Sequence, residues 1–263
     1  MARDLCPPPE RVNILGVGVS ALNMDRTLDN MACLIEHNIR TYIVVCPVYT
    51  VMNTLEDPAL RSIVNEAGLV TPDGMPLVIL SRLRGYRDVR RVYGPDIMLA
   101  FSEWAAGKGY SNYYYGGAPG VADALADELG RRFPGLSVAG TFSPPFRELS
   151  PDGEDEIVEM INDAAPDVVW VGLGSPKQDY WMARFRERLN APILIGVGAA
   201  FDYITGRVPQ APRWMQRMAL EWLFRLMVEP GRLWRRYMIY NPLFLWNILL
   251  QETGLKRWSI DED

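Results

Sequence analysis

From Val12 to Val197 the chain alternates short apolar runs with longer amphipathic stretches, and this alternation limits what it can fold into. Val12–Val19, Thr41–Cys46, Leu136–Gly140, Val168–Val171 and Ile193–Val197 read as strands, with shorter apolar runs at Leu69-Val70 and Tyr113–Tyr115. Thr27–His37, Asp57–Ala67, Pro95–Ala106, Val121–Phe133, Glu154–Ala165 and Asp179–Leu189 read as helices. Strands that are apolar throughout are buried on both faces, and alternation with helices of this length points to parallel pairing. The expected fold is α/β: a Rossmann-like, mostly parallel sheet covered by helices on both faces. From Arg213 onward only helical patterns remain, and Gly206, Pro209 and Pro212 mark the change. Two parts are therefore expected, a body of residues 1–205 and a helical appendage of residues 206–263.

Charge divides the same way. The net charge is −5 over 263 residues, yet residues 206–257 carry nine Lys/Arg against three Asp/Glu. An acidic body with a basic, aromatic tail implies an anionic partner at the tail. No nucleic-acid partner is expected, and self-association stays open. The three cysteines lack metal-ligand spacing, and their odd number argues against a disulfide framework. A lone histidine, His37, leaves no Ser-His-Asp or Cys-His arrangement, and Asp-x-Asp occurs only at Asp261–Asp263. No metal and no cofactor are expected. The N-terminus lacks a long apolar segment, and the Leu243–Leu250 cluster is shorter than the roughly 20 residues of a spanning helix. The expected location is cytoplasmic, or peripheral on the cytoplasmic, inner face of the cell membrane.

Four stretches carry candidate chemistry. In Leu69-Val-Thr-Pro-Asp-Gly74 a turn follows an apolar run, so Asp73 is held rigidly at a surface, as a catalytic base or simply as a turn residue. Tyr113–Val121 is strand, glycine turn and helix. Gly116 and Gly117 can let the backbone approach a diphosphate, or can serve only a tight turn. Val168–Trp181 repeats that pattern and places Lys177 and Gln178 at the carboxyl end of a strand, where open α/β sheets bind ligands. Arg207–Tyr237 interleaves arginines with Trp, Leu and Met. Arg225, Arg232 and Arg235 share a helical face if Pro230-Gly231 only kinks the path, and a guanidinium suits diphosphate. Downstream, Tyr240–Leu250 has the amphipathic character of an interfacial membrane contact, or of core packing.

Six segments in order, DPALRSIVNEAGLVTPDGMPLV, RVYGPDIM, YYGGAPGV, VGLGSPKQD, GVGAAFDYITG and APRWMQRMALEWLFRLMVEPGRLWRRY, resemble the WecG/TagA/CpsF family, glycosyltransferase family 26. The resemblance implies an inverting, metal-independent transferase. It would move a sugar from a UDP-sugar to a polyprenyl-diphosphate-linked acceptor at the inner membrane face, in cell-surface polysaccharide biosynthesis. Asp73 matches the family's proposed base, Arg91 the arginine ahead of Gly-x-Asp, and Gln178 the glutamine of Pro-Lys-Gln. Arg225, Arg232 and Arg235 match the arginines of the appendage. Val45-Cys46-Pro47 stands where many members have Thr-x-Asn, which leaves Thr50 or Asn53 to supply that contact. Asp179 replaces the usual Glu, and Gln210 the usual Arg. Two other readings remain open: an NAD-dependent sugar oxidoreductase, which lacks a full G-x-G-x-x-G fingerprint, and a non-catalytic nucleotide-sugar-binding scaffold.

Overall fold

The computed structural model describes residues 5–145, 150–212, 214–215, 218 and 220–260, without the side chains of Arg232 and Arg236. The acidic Asp261–Asp263 therefore lies outside the described residues. The chain begins with a two-stranded antiparallel hairpin, β1 (Arg11–Ile14) and β2 (Val17–Ser20). The single strand expected over Val12–Val19 is thus two. Leu15 and Gly16 both take positive φ, 52° and 85°, and reverse the chain in two residues.

A six-stranded sheet follows, built from β3 (Thr41–Cys46), β4 (Leu69–Pro72), β5 (Ser111–Gly116), β6 (Ser137–Phe142), β7 (Val168–Gly172) and β8 (Ile193–Gly196). Its order is β4-β3-β8-β7-β5-β6, and every neighbouring pair is parallel. Alternate residues of each strand feed two cores. One contains Val44, Val70, Tyr113, Val169 and Leu194, and the other Ile43, Leu69, Tyr114, Trp170 and Ile195. The second face is covered by α1 (Met24–Glu36), α5 (Gly94–Ala106), α6 (Val121–Arg132) and α9 (Ala200–Ile204). The first is covered by the hairpin, α2 (Val48–Glu56), α3 (Pro58–Glu66), α4 (Met75–Leu83), α7 (Pro151–Ala164) and α8 (Lys177–Phe185). Full burial on both faces is why these strands read as continuous apolar runs.

The last part of the chain holds α10 (Glu221–Val228), α11 (Pro230–Arg235), a π-helical turn (Arg236–Tyr240) and α12 (Asn241–Glu252). Glu229 leaves helical geometry at φ −130°, ψ 60°, and Pro230 opens a new helix. Arg225 and Arg235 therefore sit on different helices. Phe244 and Ile248 of α12 belong to the same core as Val44 and Val70. Gln251 accepts from the Leu15 amide, and the Asn13 and Asn65 side chains donate to the carbonyls of Trp258 and Ile260. The far end of the 206–263 segment is thus built into the body, while α10 has no fully buried residue.

Two details depart from expectation. Cys6 and Cys33 are bonded to each other, leaving Cys46 as a buried thiol. The odd cysteine count could not reveal a single bond across 27 residues. The second is Asp179, in the first turn of α8, which is fully buried with no hydrogen bond of normal geometry to either carboxylate oxygen among the described residues. Burial pushes its carboxyl up to about 7, only partly offset by Ser175.

Two outcomes follow for stability. Phe244→Ala should cost about 3–5 kcal/mol in chemical denaturation, as loss of a buried aromatic does. A cost below about 1 kcal/mol would mean that α12 lies on the core without completing it. For Asp179, the folded chain holds a proton between about pH 4 and 7 that the unfolded chain releases, so stability falls as pH rises through that window. Asp179→Asn removes this effect. Its stability relative to the parent should rise from pH 5 to pH 8 by on the order of 1–4 kcal/mol. A difference independent of pH would show that the carboxylate is compensated in the fold.

Candidate active site

All six parallel strands point their carboxyl ends at one edge of the sheet, and the edge strand β4 delivers Asp73 there. The Asp73 amide donates to the Cys46 carbonyl at 3.1 Å, tying the turn to the end of β3. The Val92 amide donates to the Pro72 carbonyl at 2.9 Å, so the segment ahead of α5 runs back along the same turn. That segment packs closely: a Cβ on Gly94 would lie 2.9 Å from the Val197 carbonyl oxygen. Backbone geometry thus sets Arg91 beside Asp73.

Arg91 is the centre of the site. Its Nε donates to the Asp73 carbonyl at 2.6 Å, and Nη2 lies 3.3 Å from Asp73 Oδ1. The same Nη2 lies 2.7 Å from Glu221 Oε2, and the guanidinium sits 4.1 Å from the Tyr93 ring centroid. The three charged side chains are 12–18% exposed, so these pairs are far less screened than surface ones. One turn beyond Glu221, Arg225 lies 5.7 Å from the Tyr203 ring centroid, and its buried Nε has no hydrogen-bond partner among the described residues. The Tyr93 hydroxyl is likewise buried without one.

These groups line a cavity of about 470 Å³. The body supplies Pro47, Val48 and Tyr49 from the start of α2, Asp73 to Pro76, Arg91 and Tyr93. The C-terminal segment supplies Glu221, Trp222, Arg225, Tyr237, Met238 and the first turn of α12. One end is charged and the rest largely apolar. This suits a ligand with a phosphorylated head and an apolar extension. Asp73 lies just ahead of the α4 N-terminus, whose dipole favours an ionised carboxylate. Cys46 beside it is no nucleophile: burial, then Asp179 and Asp73, raise its thiol well above the ordinary value.

The cavity gathers Asp73, Arg91 and Arg225 of the residues singled out from sequence, and leaves others elsewhere. Thr50 is buried in α2 with no partner for its hydroxyl among the described residues, and Asn53 is half-buried on the same helix. Arg235 is exposed against Trp234, and the Arg232 side chain lies outside the described residues. Lys177 is exposed, while Gln178 is buried. Gln178 Oε1 accepts from the amides of Gly174 and Gly198 at 3.1 and 2.9 Å, so it clamps the loops after β7 and β8 together. Gly116 ends β5 and Gly117 follows it, four strand spacings from β4, about 19 Å along the edge. Their lack of side chains has a packing reason: a Cβ would lie 2.7 Å from Gly172 backbone at one and 2.9 Å from Val121 at the other.

Glu221, Tyr93, Trp222 and Tyr237 were not foreseen as site residues. Glu221 stands four residues before Arg225, a spacing that pairs charges along a helix. It pairs instead with Arg91, 130 positions away in a different part of the chain, which no local rule reveals.

A family model described as Glycosyl transferase WecG/TagA/CpsF family matches residues 12–258. The chain is 28% identical over 220 residues to the N-acetylglucosaminyldiphosphoundecaprenol N-acetyl-beta-D-mannosaminyltransferase of Bacillus spizizenii, covering 84% of this chain and 83% of that one. It is also 28% identical over 202 residues to the protein of the same description from Bacillus subtilis (strain 168), covering 77% and 76%. With the whole sheet, the Asp73 turn and the Glu221–Arg225 helix inside the matched region, the chain belongs to the WecG/TagA/CpsF family of glycosyl transferases.

Proposed function

We propose that the protein moves a sugar from a UDP-sugar to a sugar carried on a polyprenyl diphosphate, with inversion and without a metal. The observation that carries this reading is the Asp73 carboxylate held by Arg91 in a cavity lined also by Arg225 and by apolar side chains. The relatives' description supports lipid-diphosphate-linked N-acetylglucosamine as the acceptor and an N-acetylmannosamine unit as the sugar moved.

Asp73 takes the proton from the acceptor hydroxyl as its oxygen attacks the donor's anomeric carbon, and UDP departs with the bonding electrons. One displacement inverts the centre and needs one base. The leaving diphosphate requires cationic donors, which Arg91 and Arg225 supply in a poorly solvated place. Asp73 and Glu221, the carboxylates lining the cavity, are both turned to Arg91. Among the described residues, the His/Cys/Asp/Glu grouping close enough to share an ion is Cys6, Cys33 and His37, but its cysteines are bonded to each other and none of the three lines the cavity. An oxidoreductase reading gains no support, because packing accounts for Gly116 and Gly117.

The lipid part of the acceptor suits the same apolar lining. Among the described residues no helix is long and apolar enough to cross a membrane. Met227 of α10, Trp234 of α11 and Leu245, Trp246 and Leu249 of α12 are nevertheless all at least half exposed, as are Trp214 and Met218 ahead of α10. Exposed apolar side chains beside arginines fit docking on an anionic inner-membrane surface.

Asp73→Asn should bind UDP as the parent does while kcat falls by on the order of 10²–10⁴. Near-parent turnover would overturn its role as base. Activity should persist in EDTA, and loss restored by Mn²⁺ or Mg²⁺ would contradict metal independence. Trp246→Ser with Leu249→Ser should weaken sedimentation with anionic vesicles while transfer to a short-chain, water-soluble acceptor continues. Unchanged vesicle binding would remove this face from the membrane contact.

A further inference from the structure

We propose that Glu221 is a positioning residue that occupies the anion subsite of the cavity, holding Arg91 where nucleotide diphosphate oxygens bind and releasing it when they arrive. The proposal rests on the reading of the cavity as a UDP-sugar site for the identity of the anion, though not for its charge.

The arrangement around Glu221 is that of a stand-in. Its Oε2 is buried and lies 2.7 Å from Arg91 Nη2, but the contact lacks the alignment of a hydrogen bond, and no second donor reaches that oxygen among the described residues. Arg225, one turn along the same helix, does not turn to it. That guanidinium lies over Tyr203 with a buried Nε that has no acceptor. The cavity thus holds an acid with one imperfect partner and a cation with a vacant donor. A diphosphate carries enough oxygens to satisfy both arginines at once, with paired contacts that a single carboxylate cannot reproduce.

Charge and mobility point the same way. Arg91 already serves Asp73, so with Glu221 in place its guanidinium faces two carboxylates. A third anion on that group is repelled at short range in a weakly screened site. For diphosphate to bind Arg91, the Glu221 carboxylate has to withdraw. It can do so, because Glu221 is the first residue of α10, a helix of eight residues none of which is fully buried. Elements that bury little apolar surface open at little cost. On product release the carboxylate returns to Arg91 and competes with UDP, so that Asp73 keeps its guanidinium in place between turnovers.

The test is calorimetric titration of the full chain and its Glu221→Gln variant with UDP, inorganic diphosphate and uridine. Glu221→Gln keeps the shape and removes the charge. UDP and inorganic diphosphate should bind the variant at least about 10-fold tighter, while uridine affinity stays within about twofold. Steady-state kinetics should show donor KM and kcat falling together, because UDP leaves more slowly, and Glu221→Asp should restore parent values. Equal or weaker diphosphate binding by the variant would overturn the proposal and make Glu221 a simple support for Arg91. A gain in affinity cannot come from misfolding, so a variant that folds poorly counts against the idea. If inorganic diphosphate gains and UDP binds no better than diphosphate, the stand-in role holds and the nucleotide-donor reading fails.

Discussion

The Arg91 guanidinium joins three parts of the site: the turn that carries Asp73, Tyr93 and the C-terminal segment. Its Nε and Nη2 fix the turn after β4, its face lies on Tyr93, and Glu221 brings the C-terminal segment to it. Removing it would leave two carboxylates facing each other in a half-buried place, which is costlier than losing a surface pair. A cation shared this way does two jobs. It holds the Asp73 side chain and the turn that carries it, and in the proposed reaction it also offers a cationic edge to the departing diphosphate.

The rest of the fold serves to deliver that group. Parallel β-strands bring Cys46, Asp73, Gly172 and Gly196 to one edge, and the Gln178 amide clamps two of the loops between them. Gly196 makes room for that clamp, since a Cβ there would lie 2.7 Å from Gln178 Nε2. The C-terminal segment closes the arrangement from both ends. Its last helix is anchored in the main core by Phe244 and Ile248, while α10, which brings Glu221, Trp222 and Arg225 to the cavity, has no fully buried residue. An anchored far end with a loosely packed middle is a natural geometry for a wall that must move when ligand enters.

Much of this was legible in the sequence because it rests on local or periodic signals. Thr41–Cys46 and Val168–Val171 are apolar on both faces since both faces are covered, and Pro-Asp-Gly marks the turn that carries Asp73. What escaped was set by long-range contact. Val48–Glu56 is a helix opened by Pro47, yet its apolar character blends with the strand before it. Val12–Val19 contains a hairpin turn at Leu15-Gly16 whose first residue is an unusual choice for positive φ. Gln178 reads as a ligand contact from its place after a strand, and in the fold it is an internal clamp. Glu221 carries no signal beyond its charge, because its partner comes from the far side of the chain.

Transfer itself is the central claim, and the mass of the product tests it most directly. The protein incubated with UDP-N-acetylmannosamine and a short-chain polyprenyl-diphosphate-linked N-acetylglucosamine should convert the acceptor to a species heavier by one N-acetylhexosamine, with UDP released in equal amount. An acceptor unchanged in mass across a panel of UDP-sugars, in the presence of protein that binds UDP, would contradict the account.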